Sequence, residues 1–185
     1  MTSFATMIAM TVRSEILLIG GRSGVGKSSV GAEIHAQLAA ADVRHCLVEG
    51  DNLDMAHPAP HEHHLAERNL TALWANYRAL DYRRMIYTNT ASVFPAVINE
   101  LTTAMGDTPA VTAVLLTCSD ATARARLSQR ERGSMLDSHV ERSRVMASRL
   151  DDQVSNSVHR VATDGRTVVD IATEIVGIVG WAHAA

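Results

Sequence analysis

Gly21-Arg-Ser-Gly-Val-Gly-Lys-Ser28 is the stretch on which the interpretation of this chain depends. It fits the pattern G-x-x-x-x-G-K-[ST], the Walker A or P-loop motif, in which a glycine-rich loop binds phosphate groups. The apolar run at residues 15–20 precedes the motif and predicts a short buried strand. Residues 29–41 follow it and predict a helix, because apolar residues from Val30 to Leu38 recur at a spacing of four. Strand, glycine loop and helix in this order are the context that the motif requires.

Each residue type in the motif has a chemical reason. Glycines adopt backbone angles that a Cβ forbids, so successive N–H groups turn inward and form an anion-binding nest at a helix N-terminus. Lys27 can reach the β- and γ-phosphates, and the Ser28 hydroxyl is a ligand for Mg²⁺. ATP and Mg²⁺ are therefore the expected cofactors. The expected nucleotide-binding residues of this loop are Gly21, Ser23, Gly24, Val25, Gly26, Lys27, Ser28 and Ser29.

The composition and length exclude several classes of protein. Of the 185 residues, 46% are apolar and 20% are charged, as in an ordinary globular protein. The length predicts one domain at residues 14–185, after a flexible extension at residues 1–13 that lacks the pattern of a signal peptide. The formal net charge of -3 argues against a nucleic-acid partner, and no apolar run is long enough to span a membrane. Cys46 and Cys118 lie in apolar runs, which indicates buried thiols in a reducing compartment. We therefore expect a cytoplasmic monomer or homodimer.

Polar residues follow the second and third predicted strands. Residues 44–49 predict a strand that ends at Gly50-Asp-Asn52, and residues 84–87 predict a strand that ends at Thr88-Asn-Thr90. In open parallel sheets, ligands bind at the carboxyl edge of the strands. Asp51 is therefore the second anchor of the interpretation.

The segment between these strands predicts a loop over the ligand edge, followed by a helix. The loop carries Pro58, Pro60 and four histidines: His57, His61, His63 and His64. A zinc site is conceivable there, but no second cluster has ligand spacing, so a solvated or substrate-facing loop is favoured. Residues 65–80 predict a helix in which Arg68, near the start, is a better functional candidate than Arg78.

The rest of the chain alternates between strands and helices. The predicted strands are residues 110–117 and 158–163, and the predicted helices are residues 92–105, 121–132, 138–152 and 167–181. In this order the chain resembles the small P-loop kinases that phosphorylate metabolites, a group that includes adenylylsulfate kinase, gluconate kinase, shikimate kinase and chloramphenicol phosphotransferase. The resemblance implies an α/β three-layer P-loop NTPase fold, with a five-stranded parallel sheet in the order 2-3-1-4-5, helices on both faces and a helical lid at about residues 126–145.

Three motifs besides the P-loop carry the resemblance. Glu49-Gly-Asp-Asn52 is similar to a Gly-Asp pair at the tip of the second strand in these kinases. Residues 126–133 are similar to their arginine-bearing lid, and Thr163-Asp-Gly165 is similar to a loop that contacts adenine. The resemblance implies that Asp51 orients the acceptor hydroxyl or takes its proton, and helps Ser28 to hold Mg²⁺. No strand ends in the paired acids of a typical Walker B motif.

The resemblance also implies roles for the arginines and the last loop. Arg130 and Arg132 would close over the phosphates, Arg126 would stack on adenine, and Asp164 and Gly165 would contact the base. The catalytic candidates are Lys27, Asp51, Arg130 and Arg132, and the candidate substrate-binding residues are Asp51, Asn52, His57 and Arg68.

Three functions are open to a chain with these motifs. The first is an ATP-dependent phosphotransferase that acts on a hydroxyl of a small molecule. The second is a nucleoside or nucleotide kinase, with Arg68, Arg78 and Arg142 available for an acceptor phosphate. The third is a nucleotide-binding switch that acts on a protein partner. The segment at residues 57–68 matches no single member of the group, so no acceptor is named.

Overall fold

The computed structural model describes residues 13–129 and 134–183. Arg130 and Arg132, expected in the lid, lie outside the described residues, and so do residues 1–12 of the expected N-terminal extension. The strands are β1 (Glu15–Gly20), β2 (Cys46–Glu49), β3 (Arg84–Thr88), β4 (Ala110–Thr117) and β5 (His159–Ala162). The α-helices are α1 (Lys27–Ala40), α2 (Leu65–Ala79), α3 (Pro95–Met105), α4 (Asp120–Ser128), α5 (Ser134–Gln153) and α6 (Val168–Val179). Single 3₁₀ turns are found at Gly50–Asn52, His61–His63 and Trp181–His183.

The five strands form one parallel sheet in the order β2-β3-β1-β4-β5, which confirms the expected order. The register pairs Ile19 of β1 with Thr88 of β3, and Thr88 with Glu49 of β2. The carboxyl ends of these three strands therefore meet at one edge of the sheet. The P-loop and the Asp51 tip both leave the sheet at that edge.

Helices cover both faces of the sheet, as expected. β1 is buried from Ile16 to Gly20, and its side chains alternate between two cores. Leu17 and Ile19 pack with α1 and α6 on one face, and Ile16 and Leu18 pack with α2 and α3 on the other. A third cluster packs α5 against the start of α3 and against β4. Burial on both faces explains why β1 is a continuous apolar run.

Local signals mark the starts of several helices. Pro95 occupies the first turn of α3, where its missing N–H costs nothing. Ser119 caps α4, because its side chain accepts a hydrogen bond from the Thr122 backbone N–H. The start of α5 differs from expectation, since it lies at Ser134 and not near Asp137. Asp137 lies in the first turn, where a carboxylate stabilises the positive end of the helix dipole without being the cap.

No helix within the described ranges combines the length and the apolar character needed to span a membrane.

Candidate nucleotide and acceptor site

The P-loop follows β1 and is packed tightly against two neighbouring elements. Gly21, Gly24 and Gly26 have positive φ angles of 143°, 82° and 106°. A Cβ on Gly21 would lie 2.7 Å from the Leu116 carbonyl oxygen, and one on Gly24 would lie 2.8 Å from the Ala123 carbonyl oxygen. Glycine is therefore required at both positions by conformation and by space. The loop leads directly into α1, so the amino end of that helix points at the loop.

The two polar side chains that end the motif lie over the loop. The Lys27 ammonium donates hydrogen bonds to the carbonyl oxygens of Gly21 at 2.8 Å and Arg22 at 3.3 Å. The Ser28 hydroxyl points across the sheet edge and donates to Glu49 Oε2 at 3.1 Å. The loop thus presents a cation and a hydroxyl beside its own backbone amides, which is the donor set that a polyphosphate and its metal require.

Glu49 is a site residue to which the sequence analysis assigned no role. It is the last residue of β2, and its Oε2 accepts hydrogen bonds from Ser28 and, at 2.7 Å, from the Thr88 hydroxyl. A carboxylate therefore lies beside the Ser28 hydroxyl, although no strand ends in paired acids. The signal was present in the sequence, because Glu49 precedes Asp51 by two residues at the end of an apolar run.

Asp51 is presented toward the same cleft. It lies in the 3₁₀ turn after β2, and its Oδ1 accepts a hydrogen bond from Asn89 Nδ2 at 2.6 Å. Asn89 follows β3, so the polar tips of two neighbouring strands are joined at the expected edge. Asp51, Glu49 and the P-loop line one cleft of about 360 Å³, a volume typical of small-molecule sites.

Buried polar contacts hold the P-loop from behind. The Arg22 side chain is buried, donates through Nε to Ser143 Oγ at 2.9 Å and pairs with Asp120. Ser143, on α5, in turn donates to the Ser23 carbonyl oxygen at 2.8 Å. These contacts join residues that are 98 to 121 positions apart, so no local pattern in the sequence indicated them.

Arg126 joins the P-loop to the loop that follows β5. Its guanidinium donates to the Val25 carbonyl oxygen at 2.9 Å and to Thr163 Oγ1 at 3.0 Å, and so bridges the P-loop and the loop after β5. Arg126, His139 and Arg166 line the cleft. Arg126 thus contacts the loop after β5, whereas its expected stacking on adenine stays a prediction; His139 and Arg166 were not among the predicted site residues.

Other predicted residues lie apart from the cleft. Asp164 accepts hydrogen bonds from Thr122 Oγ1 at 2.5 Å and from the Ser119 hydroxyl at 2.7 Å, which holds the pKa of its carboxyl below the ordinary value. Its side chain thus secures the start of α4, and neither it nor Gly165 lines the cleft. The exposed residues Asn52, His57 and Arg68 do not line the cleft either.

Arg78 lies at the opposite edge of the sheet. Its guanidinium bonds to Ser14, just before β1, and to Asp107, just before β4. Since these neighbours precede their strands, Arg78 is remote from the P-loop. Of the three arginines considered for an acceptor phosphate, this one belongs to the packing of the fold.

Solved structures of small P-loop kinases share this fold. An APS kinase of Mycobacterium tuberculosis, solved with AMPPNP and APS, is 17% identical, with a TM-score of 0.61 over 91% of this chain and 98% of that chain. A tunicamycin resistance protein of Deinococcus radiodurans is 19% identical, with a TM-score of 0.62 over 91% and 96% of the two chains. A gluconokinase of Sinorhizobium meliloti 1021 is 18% identical, with a TM-score of 0.59 over 90% and 91%.

No protein-family model and no curated protein sequence matches the chain. At such low identity, the structural similarity establishes only the fold. The activity is therefore inferred from the residues of the cleft.

Proposed function

We propose that the chain transfers the γ-phosphate of ATP to a hydroxyl group of a small molecule. The observation that carries the proposal is the common cleft of Lys27, Ser28 and Asp51, in which Glu49 joins the P-loop to the acceptor edge. The fold is shared with kinases of small molecules, which supports the same reaction class.

The residues present fit ATP and Mg²⁺. The glycine loop forms a cradle that Cβ atoms would fill, and the amino end of α1 favours negative charge there. The Ser28 hydroxyl and the carboxylates of Glu49 and Asp51 are oxygen donors of the kind that Mg²⁺ takes. Bound Mg²⁺ would neutralise charge on the phosphates.

The roles of the side chains follow from their places in the cleft. Lys27 and the loop amides bind and orient the phosphates, so that binding fixes the phosphate to be transferred. Asp51, held by Asn89, accepts the proton of the acceptor hydroxyl or orients that hydroxyl for attack. Arg126 fixes the adenosine end. We assign Arg130 and Arg132 to the phosphates on the resemblance alone, and Asp164 and Gly165 to the loop beside the base.

A coupled assay of ADP release with Mg²⁺-ATP tests the proposal. The acceptor panel holds sugars, sugar acids, nucleosides, nucleotides, APS, shikimate and hydroxylated antibiotics. Stimulation by a hydroxylated small molecule, with the phosphorylated product seen by mass spectrometry, supports the proposal. Stimulation by nucleosides or nucleotides alone selects the nucleotide-kinase alternative, and tight ATP binding without stimulation by any acceptor selects the switch alternative.

The Asp51→Asn substitution tests the assigned role. Asparagine keeps the oxygen that accepts from Asn89 but removes the basic carboxylate. We expect phosphate transfer to fall by about 10²-fold or more while ATP binding is retained. Asp152→Asn, at an exposed position of α5, is the matched control. Full activity of Asp51→Asn would show that the carboxylate has no part in the transfer.

A further inference from the structure

A second cavity lies between β4 and α5, beside Arg22 of the P-loop. Its volume is about 50 Å³, and none of the described residues that line it also lines the nucleotide cleft. Most of its wall comes from the carboxyl end of β4 and from the last two turns of α5. One water molecule needs about 10–15 Å³ of such space, so the cavity has room for a ligand of about four non-hydrogen atoms.

The walls of this cavity combine apolar and charged groups. Leu115 and Leu150 are almost fully buried and supply apolar surface. The charged groups that line it are Arg22, Arg160 and Asp151. Arg160 pairs with Asp151 at 2.6 Å, so these two charges offset each other. The charge that remains at the cavity is therefore that of Arg22.

Arg22 has one hydrogen-bond donor group to spare. Its side chain is only 4% exposed, its Nε donates to Ser143, and its Nη1 pairs with Asp120. Its Nη2 is also buried, but has no hydrogen-bond partner within residues 13–129 and 134–183. A buried donor on a charged group is costly to leave without an acceptor. A ligand in the cavity that Arg22 lines can supply this acceptor.

The ion pair with Asp120 leaves that need unmet. The Asp120 side chain is 63% exposed, so water competes for its carboxylate, and its contact is with Nη1 of Arg22. A neutral apolar ligand would leave Nη2 without an acceptor, and a cation would be repelled by the guanidinium. The cavity therefore favours an anion, and its volume and apolar walls favour a small anion with a hydrocarbon part.

We propose that this cavity binds a small monocarboxylate, which accepts a hydrogen bond from Arg22 Nη2 while its short alkyl group packs between Leu115 and Leu150. Guanidinium groups form strong, charge-assisted hydrogen bonds with carboxylates. Phosphate and sulfate carry oxygen atoms on every side and would bury some of them against the leucines without partners. Acetate, with four non-hydrogen atoms, is the probe that matches the space. The site does not depend on the phosphotransfer proposed above.

A ligand on Arg22 also acts on the P-loop. Arg22 belongs to the loop, and Ser143 joins its guanidinium to the Ser23 carbonyl oxygen. A carboxylate that holds the guanidinium in place therefore favours the loop conformation described here. Since coupling between two binding sites is reciprocal, bound nucleotide strengthens carboxylate binding by the same factor.

Cys118 reports on the occupancy of the cavity. It lines the cavity and is half-buried. Burial raises the pKa of its thiol, and the charges of Arg22 and Arg126 oppose that rise. Burial also raises the pKa of Cys46, the other cysteine, to about 12, so Cys46 reacts slowly. Iodoacetate and iodoacetamide both alkylate a thiolate, with a C–S bond formed as iodide leaves, but only iodoacetate carries the carboxylate that the cavity binds.

Alkylation of the unsubstituted protein tests the site. Peptide mass spectrometry gives the rates of Cys118 with the two reagents, and N-acetylcysteine gives the ratio for a free thiol. We expect the ratio of iodoacetate to iodoacetamide rates at Cys118 to exceed that of the free thiol by about tenfold or more. Acetate should slow the reaction of Cys118 with iodoacetamide, and acetamide at the same concentration should not. A ratio equal to that of the free thiol, or equal effects of acetate and acetamide, would overturn the proposal.

Substitutions then locate the carboxylate. Arg22→Gln should return the ratio to that of the free thiol, and Arg144→Gln, an exposed arginine of α5, is the matched control. Because Arg22 also supports the P-loop, Ala147→Leu is a second variant that fills the cavity from α5 and leaves Arg22 in place. It should abolish the protection by acetate. Protection that survives in Ala147→Leu, or in a folded Arg22→Gln, would show that acetate binds elsewhere.

Calorimetry with AMPPNP and Mg²⁺ tests the coupling to the nucleotide. We expect acetate to raise the affinity for AMPPNP about fivefold, and acetamide to leave it unchanged. An affinity that acetate does not change would overturn the coupling. Protection of Cys118 by acetate in a protein that binds no AMPPNP would contradict the proposed function and support the carboxylate site by itself.

Discussion

Glu49 connects the P-loop to the sheet. One of its oxygens accepts hydrogen bonds from both Ser28 and Thr88, so the carboxylate is fixed where the P-loop hydroxyl meets the strand tip. A carboxylate in this position orients a hydroxyl that binds a metal and adds negative charge beside the cation. Such supporting partners commonly matter for metal affinity nearly as much as the ligands themselves.

The Glu49→Gln substitution should therefore change the metal dependence. We expect the Mg²⁺ concentration for half-maximal ADP release to rise about 10–100-fold, because the variant loses the negative charge and faces Ser28 with an amide. A Mg²⁺ titration of activity measures the effect, with Glu100→Gln as the control. An unchanged titration would exclude Glu49 from the metal environment.

His45 gives the stability of the protein a dependence on pH. Its Nδ1 lies 2.7 Å from the Val43 carbonyl oxygen, which can only accept, so Nδ1 carries the proton of the neutral ring. His45 Nε2 then accepts from His35 Nδ1 at 2.8 Å. Burial lowers the pKa of His45, opposed by the bond to Val43, and the charges of His35 and Arg84 lower the pKa further. A second proton on the His45 ring would also remove the acceptor for His35.

The sign of the pH effect follows from this lowered pKa. Below the ordinary value of 6.5, the unfolded chain binds a proton at His45 that the folded protein does not, so the free energy of unfolding falls as the pH falls. Urea denaturation between pH 7.5 and 5.0 should show a shallower loss in His45→Asn than in the unsubstituted protein. His159→Asn, at an exposed position of β5, should keep the original slope. Identical slopes for all three proteins would contradict the assignment.

Among the helices, α5 has the least obvious connection to the P-loop. Ser143 receives a hydrogen bond from Arg22 and gives one to the Ser23 backbone, so this helix holds the loop on the side opposite the cleft. The Arg22 guanidinium is buried behind the loop and does not line the cleft. Arg22, which directly follows the first glycine of the loop, thus supports the shape of the loop.

The Ser143→Ala substitution should loosen this support. It leaves Arg22 Nε and the Ser23 carbonyl oxygen without their partner, at a cost of about 1–3 kcal/mol in the free energy of unfolding. For a chain of this size, each 1 kcal/mol lowers the melting temperature by about 2–4 °C. Thermal denaturation measures the change, and Ser148→Ala on the exposed side of α5 should have little effect. We also expect the KM for ATP to rise in Ser143→Ala. Equal changes in melting temperature and in KM for the two variants would contradict a role of Ser143 in supporting the P-loop.

Elements with strong local patterns were predicted well. The limits of β4 agree with the predicted strand, and α1 buries Val30, Ile34 and Leu38 as the spacing indicated. The expected strand order is confirmed, although it came from the resemblance and not from periodicity. The start of α5 was placed late, because an acidic residue in a first turn gives much the same local signal as a cap.

The parts of the site that were missed depend on distant contacts. The polar residues at the end of β2 indicated Asp51 as a site residue. Only the pairing of β2 with β3, however, brings Glu49, Thr88 and Ser28 together. Asp164 was expected at the base of the nucleotide, whereas its carboxylate bonds to residues at the start of α4, more than 40 positions earlier. Such partners are set by the fold as a whole, so single-sequence patterns do not contain them.

The whole sequence contains one lysine, Lys27, and this makes the P-loop accessible to a simple chemical test. An amine-acylating reagent can modify only this side chain and the terminal amine of the chain. With Mg²⁺-ATP at ten times its dissociation constant, only about one P-loop in eleven is unoccupied at any time. We therefore expect the acylation of Lys27 to slow by about tenfold. Peptide mass spectrometry measures both rates, and the terminal amine is the internal control. Equal rates with and without ATP would contradict nucleotide binding at the loop.

Both signs of charge line one cleft, although the formal net charge of the chain is only -3. Lys27, Arg126 and Arg166 line it together with the carboxylates of Glu49 and Asp51.

The two carboxylates beside the P-loop have a consequence for turnover under the proposed reaction. Phosphorylation adds about 1.5 to 2 negative charges to the acceptor. The phosphorylated product then lies in the same cleft as the carboxylates of Glu49 and Asp51, which repel it. We therefore expect the product to leave the cleft readily, and product inhibition by the phosphorylated molecule should be weak.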